Sequence, residues 1–136
     1  DGNHYLKLSD ITELPNAWSK DLVFNSKENT LYIAYSEKGV WQLNLTTQSA
    51  KQITDVYATE LAFNVSQLLM KSDGKLYSFD FDSKKTTHHH AINGRVLSIS
   101  AYKDKSYVLT SKGAYLLVEK STRLIEPQII INGEIQ

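Results

Sequence analysis

The run His88-His89-His90 is the first place in this sequence where residue types and spacing could do chemistry. Side chains alternate between the faces of an extended strand, so His88 and His90 share a face about 7 Å apart. Two imidazoles at that distance could share a transition metal or sense pH. No further ligand is fixed nearby, and His4 could join the pair only through folding. We favour the simpler interpretation, a polar outer strand that blunts edge pairing, and therefore predict no metal site.

Two further motifs are better explained by turns than by binding. Asp80-Phe81-Asp82 places two carboxylates on one strand face, but Ser83-Lys84-Lys85 lacks the glycine and oxygen ligands of a calcium loop. Asp80 stands where the first repeat has Asn44, which predicts a role in entering a hairpin. Ser72-Asp-Gly-Lys75 contains Gly-Lys but lacks the earlier glycine of a phosphate loop.

No constellation of catalytic residues occurs in the chain. Cysteine is absent, which excludes disulfides, thiolate metal sites and a cysteine nucleophile. Neither a G-x-S-x-G elbow nor an H-E-x-x-H helix is present, so we predict a non-enzymatic protein without a cofactor. Most tyrosines fall at repeated strand positions, which favours core packing. Trp18 follows Pro15 in a loop outside the strand pattern and is the one weak candidate for ligand contact.

Composition points to an ordinary folded domain. The 136 residues are 41% hydrophobic and 22% charged, which is typical of one globular domain. Lysine plus arginine and aspartate plus glutamate both number 15, so the net charge is zero. Without a basic excess, binding to nucleic acid or to an anionic membrane surface is not expected. No apolar run reaches the roughly 18 residues of a spanning helix. The chain begins at Asp1 without a signal-peptide pattern, as expected of a processed protein or an excised domain.

A unit with a period near 40 residues recurs along the chain, since Leu22, Leu61 and Leu97 lie 39 and then 36 residues apart. Leu31–Asp55 reads as strand, turn, strand, turn, strand, and Leu68–Ile92 and Tyr107–Ile131 repeat that plan. The corresponding segments are Leu22–Asn25, Leu61–Asn64 and Leu97–Ser100; Leu31–Tyr35, Gln67–Lys71 and Ser106–Thr110; Val40–Asn44, Leu76–Asp80 and Ala114–Val118; and Ile92–Val96 with Ile131–Ile135. Such a period indicates a repeat architecture.

Each unit predicts a four-stranded sheet. In the first unit the strands are Leu22–Asn25, Leu31–Tyr35, Val40–Leu45 and Ala50–Thr54. Trp41 and its counterparts give one face of the third strand an apolar character, and the opposite face is partly apolar as well. A sheet with two apolar faces must lie between neighbours, as β-propeller blades do. The sequence therefore predicts an all-β fold of about three and a half four-stranded antiparallel blades.

The predicted blades are residues 20–55, 56–92 and 93–131. Residues 1–19 read as the tail of a preceding blade, with Tyr5–Leu8 as its outer strand, and residues 132–136 as the start of a next one. Because propellers have at least four blades, we expect missing blades or self-association to complete the ring.

The repeats resemble those of bacterial sensor propellers, the extracytoplasmic parts of two-component regulators. The resemblance rests on Asn29–Ala34, the turn ending in Gly39 and Val40–Asn44. Leu43–Thr54 is also similar to the outer strand of TolB-type propellers. The Trp-Asp dipeptide of WD repeats and the paired glycine of kelch repeats are absent.

The resemblance implies a non-enzymatic extracytoplasmic sensor or recognition module of a bacterial membrane signalling protein, located in the periplasm or outside the cell. Such a module would bind a small ligand or a protein partner. Two alternatives stay open. One is a TolB-like scaffold for protein docking or assembly. The other is part of a propeller hydrolase or lyase whose active residues lie outside this chain.

Overall fold

The computed structural model describes residues 5–118 and two short strands, Ile130–Ile131 and Glu134–Ile135. One 3₁₀ turn, Leu8–Asp10, precedes the strands. The strands are β1 (Ser19–Asn25), β2 (Thr30–Tyr35), β3 (Gly39–Asn44), β4 (Ala50–Thr54), β5 (Glu60–Phe63), β6 (Gln67–Ser72), β7 (Lys75–Asp80), β8 (Thr86–His88), β9 (Val96–Tyr102), β10 (Lys105–Thr110), β11 (Gly113–Val118), β12 (Ile130–Ile131) and β13 (Glu134–Ile135).

Consecutive strands pair antiparallel into successive sheets. The first sheet contains β1–β4 and the second β5–β8, each in chain order, and the third contains β9–β11. Strand β12 pairs only with β13 among the described strands. Strands β1, β5 and β9 lie next to one another, so the three sheets meet along one inner edge. The predicted close of the third blade and start of a fourth lie largely outside the described residues.

Side chains at the hairpin entries repeat the same chemistry. The Asn44 Oδ1 accepts the N–H groups of Thr46 and Thr47, and the Asp80 Oδ1 accepts those of Asp82 and Ser83. These side-chain turns satisfy main-chain donors where each third strand ends. The predicted turn role of Asp80 is confirmed.

The core lies between the sheets. Each interface is formed by alternating apolar residues from the facing strands, as the strand period of two requires. The first and second sheets enclose Tyr32, Ala34, Val40, Ala58, Leu61, Leu68, Met70 and Phe79, and the second and third enclose Ala62, Leu69, Leu76, Val96, Ile99, Val108, Tyr115 and Leu117.

The outer face of the first sheet is covered by the N-terminal segment, residues 8–17. Ile11 and Leu14 pack against a cluster that includes Leu43, and Trp41 is half-buried beside it. The prediction of an outer strand at Tyr5–Leu8 is wrong, because residues 5–7 have no regular structure. The segment covers the sheet with side chains instead of adding a strand. Trp41 therefore packs against this segment and not between two blades.

One predicted repeat register is also wrong. Met70 lies opposite Tyr77, as Ile33 lies opposite Trp41, although the repeat alignment equated Leu69 with Ile33. The turn between β2 and β3 has three residues and the turn between β6 and β7 has two, which moves β6 by one position. A shift of one residue exchanges the two faces of a strand.

The match between Ile92–Val96 and Ile131–Ile135 does not extend to structure. Residues 92–95 form the bend between β8 and β9, whereas Ile131 pairs antiparallel with Glu134. The letters of residues 92–95 are typical of a turn, which agrees with the bend found there.

Candidate functional site

A cleft of about 820 Å³ opens at the end of the sheets where the β1–β2, β5–β6 and β9–β10 turns lie. We call it the interblade cleft. All three sheets contribute to it, and it is lined by Phe24, Asn25, Ser26, Lys27, Glu28, Thr30, Tyr32, Gln42, Asn44, Phe63, Asn64, Val65, Phe79, Phe81, Asp82, Lys84, Ala101, Tyr102 and Lys103. Its volume is in the range of small-molecule sites.

Aromatic rings from two sheets form the floor of the cleft. Tyr32 stacks on Phe81 with ring centroids 5.5 Å apart, and its ring lies 6.3 Å from that of Phe63. Phe81 also meets Phe79 edge-on at 6.3 Å. Burial raises the pKa of the Tyr32 phenol, and the nearby Glu28 carboxylate raises it further. The phenol therefore stays neutral at physiological pH.

The turn asparagine of the second sheet holds the cleft wall in place. The Asn64 Oδ1 accepts the N–H groups of Ser66 and Gln67, and its Nδ2 donates to the Ser106 Oγ at 2.6 Å. This last bond joins the second sheet to the third and is buried. A wall built in this way is pre-organised, which lowers the free-energy cost of binding a ligand.

Charged side chains of both signs surround the floor. The lining contains three lysines, Lys27, Lys84 and Lys103, and two carboxylates, Glu28 and Asp82. None of the described lining residues is a histidine or cysteine. The arrangement suits binding of a small amphipathic molecule, with its apolar part on the rings and its polar groups at the rim.

Trp18 lies apart from this cleft. Its side chain is 83% exposed, immediately before β1, and its carbonyl accepts the N–H of Ser36 at 2.8 Å. It is not among the residues that line the cleft. A role of Trp18 in ligand contact stays a prediction.

The histidine run divides between surface and core. The rings of His88 and His90 have centroids only 3.9 Å apart, closer than the predicted 7 Å spacing. The strand ends at His88, and the N–H of His90 donates to the His88 carbonyl at 3.1 Å, so the chain turns between them. Within residues 5–118 no group of three or more potential metal ligands forms.

His89 is the member of the run whose buried environment the sequence analysis missed. It is buried, and its Nε2 shares a hydrogen bond of 2.7 Å with the Ser78 Oγ. Burial, and secondarily the charge of His88, lowers the pKa of His89 to about 4. Strand alternation could have predicted this burial, because an extended chain that exposes His88 and His90 directs the side chain of His89 inward.

No family model and no curated protein matches the chain. Solved structures do. The β-propeller domain of Cps50 (Swd1) from Myceliophteria thermophila has 14% identity and a TM-score of 0.61 over 82% of this chain and 39% of its own. The fold is that of a partial β-propeller. BamB from Moraxella catarrhalis has 14% identity and a TM-score of 0.63 over 82% of this chain and 37% of its own.

A further likeness is to the extracellular domain of the putative hybrid two component system BT3049 from B. thetaiotaomicron. It has 18% identity and a TM-score of 0.60 over 97% of this chain and 17% of its own. Both predicted resemblances, to sensor propellers and to TolB-type propellers, are confirmed as resemblances of fold. The chain spans about two fifths or less of each of these structures. Among the described residues, no helix is long and apolar enough to cross a membrane.

Proposed function

We propose that this partial propeller is a non-enzymatic recognition module in the extracytoplasmic part of a bacterial membrane signalling protein. The observation that carries the proposal is the interblade cleft, whose aromatic floor and mixed-charge rim suit a small amphipathic ligand. The likeness to an extracellular domain of a two component system supports the signalling context.

Binding at this cleft is suited to passing on a signal. Tyr32 belongs to the first sheet, Phe63 and Phe81 to the second, and Tyr102 to the third. A ligand in contact with all of them would bind more tightly to one relative placement of the three sheets than to another. It would therefore shift the equilibrium between these placements by the difference in binding free energy.

A ligand screen tests the proposal. Thermal unfolding of the protein is followed with a panel of common amino acids, mono- and disaccharides and aromatic carboxylates. We expect at least one compound to raise the melting temperature and to perturb NMR signals of cleft residues. The variants Gln42→Ala and Lys103→Glu should weaken binding of that compound, whereas Trp18→Ala, outside the cleft, should not.

Two results would contradict the proposal. One is a hit whose NMR perturbations lie away from the cleft and which Gln42→Ala and Lys103→Glu bind unchanged. The other is chemical conversion of a panel compound by the protein, which would favour the propeller hydrolase or lyase.

A further inference from the structure

A pair of imidazoles lies on the outer edge of the second sheet, away from the interblade cleft. The rings of His88 and His90 are side by side, with centroids 3.9 Å apart and planes inclined by 54°. We propose that these two rings form a binding site for a borderline transition-metal ion of the Zn²⁺ or Ni²⁺ type. This inference does not depend on the proposed function of the cleft.

The chain brings both rings close together before any ion binds. The His88 ring stacks on Tyr77, with centroids 4.6 Å apart and an interplanar angle of 22°. The N–H of His89 donates to the Leu76 carbonyl at 2.9 Å, which continues the β7–β8 pairing by one residue. The N–H of His90 donates to the His88 carbonyl, which fixes the main chain of His90 relative to that of His88. Such pre-organisation reduces the entropy lost when two ligands bind one ion.

The ring spacing is compatible with a shared ion. A metal 2.0–2.1 Å from one nitrogen of each ring separates the ring centroids by about 4.5–5 Å. The observed 3.9 Å needs only a small outward rotation, and His90 is exposed and able to make it. The His89 ring is buried and its Nε2 bonds to Ser78, so we expect only His88 and His90 to act as ligands. The pair supplies two ligands, and water completes the coordination.

The residues around the two rings favour some metal ions over others. A recess of about 120 Å³ beside the rings is lined in part by Lys75, and none of its described lining residues is Asp or Glu. Calcium and magnesium prefer oxygen ligands and are disfavoured, whereas imidazole suits zinc, nickel and copper. Lys75 lines the same recess as His88 and His90, so its ammonium group is placed to repel a bound cation. Removal of Lys75 should therefore strengthen metal binding.

The experiment is calorimetric titration of the protein with zinc chloride and, separately, nickel chloride near neutral pH. We expect one ion per chain. His88→Ala and His90→Ala should each weaken binding by at least about tenfold, because a single imidazole loses the chelate advantage. Lys75→Ala should bind more tightly than the wild type. His90→Ala removes an exposed ring and should fold normally, which circular dichroism checks.

His4→Ala tests whether the one histidine outside the run contributes, and we expect this variant to bind like the wild type. NMR signals of the His88 and His90 rings should shift on addition of zinc before those of His89. The proposal is overturned by a wild-type protein that binds neither ion. It is equally overturned if His90→Ala retains wild-type affinity or if His4→Ala loses it.

Discussion

Asn44 and Asp80 accept main-chain hydrogen bonds at equivalent turns of the first and second sheets, although their side chains differ. In each case one oxygen accepts two main-chain N–H groups beyond the end of the strand. Asp80→Ala leaves both donors without this partner and should lower the free energy of unfolding by about 1–2 kcal/mol. Asp80→Asn keeps the accepting oxygen and should cost less than about 0.5 kcal/mol. Urea unfolding measures both, and equal losses for the two variants would contradict this role of the carboxylate oxygen.

His89 should make stability depend on pH in a predictable direction. Its pKa is about 4 in the folded protein, against an ordinary 6.5 when the chain is unfolded. At pH above 6.5 the histidine is neutral in both states and contributes no pH dependence. As the pH falls from 6.5 towards 4, the unfolded chain takes up the proton first. The free energy of unfolding should therefore decrease, by on the order of 3 kcal/mol in total.

The variant His89→Gln isolates this effect. Glutamine can keep a polar contact to Ser78 but does not titrate, so the other histidines provide the same background in both proteins. Urea unfolding near neutral pH and at mildly acidic pH should show a steeper loss for the wild type. If the free energy of unfolding decreases by the same amount in both proteins, His89 does not cause the pH dependence of stability.

The turn between β2 and β3 is the element where glycine is most strictly required. Gly39 has φ +77°, and a Cβ there would overlap the Thr54 carbonyl oxygen and come within 2.6 Å of the Gln52 Nε2. At Gly74, with φ +71°, a Cβ would meet only the flexible side chain of Arg95. Both alanine variants incur the cost of a left-handed backbone, about 1 kcal/mol.

Gly39→Ala must in addition displace the backbone of β4, so its loss should exceed that of Gly74→Ala by about 2 kcal/mol or more. Thermal or urea unfolding compares the two variants directly. If both lose the same stability, the close approach of β4 to Gly39 has no energetic effect.

Strand existence could be predicted from the sequence much better than strand register. The alternation in Val40–Asn44 and the glycine-containing turns locate the hairpins, and every strand predicted for the first unit is present. The position of Met70 could not be predicted, because the β6–β7 turn is one residue shorter and Leu68, Leu69 and Met70 are all apolar. When both faces of a strand are apolar, hydrophobicity does not distinguish its two registers.

The interblade cleft is a property of the whole molecule, so no single sequence motif predicts it. Tyr32, Phe81 and Tyr102 are far apart in sequence and meet only after the three sheets have packed. Taken alone, each of these aromatic residues is typical of a hydrophobic core, and the Tyr32 side chain is indeed only 5% exposed. Recognising the cleft requires knowing which strand ends lie together, and that depends on the packing angle between sheets.

Among the described residues, the outer face of the third sheet exposes large apolar side chains. Tyr107 and Leu109 are 46% and 49% exposed there, whereas Val108, on the opposite face, is 1% exposed. Their cross-strand neighbours Leu116 and Ala114 share this face. The equivalent interfaces within the molecule are covered by the next sheet, and the outer face of the first sheet is covered by Ile11 and Leu14 in residues 8–17.

We expect a second copy of the chain to cover this face, with the two third sheets packed against each other about a two-fold axis. An isologous contact uses the same patch twice and closes without further growth. Light scattering during size exclusion should show a dimer, and Leu109→Glu, which puts a charge in the middle of the contact, should give a monomer. That monomer should keep the wild-type circular dichroism spectrum and melt at a lower temperature, because association stabilises the folded chain. Val65→Glu is the matched control, since Val65 is 75% exposed on the β5–β6 turn. A monomeric wild type at every accessible concentration, or equal dissociation by Val65→Glu, would show that this face does not hold a second copy.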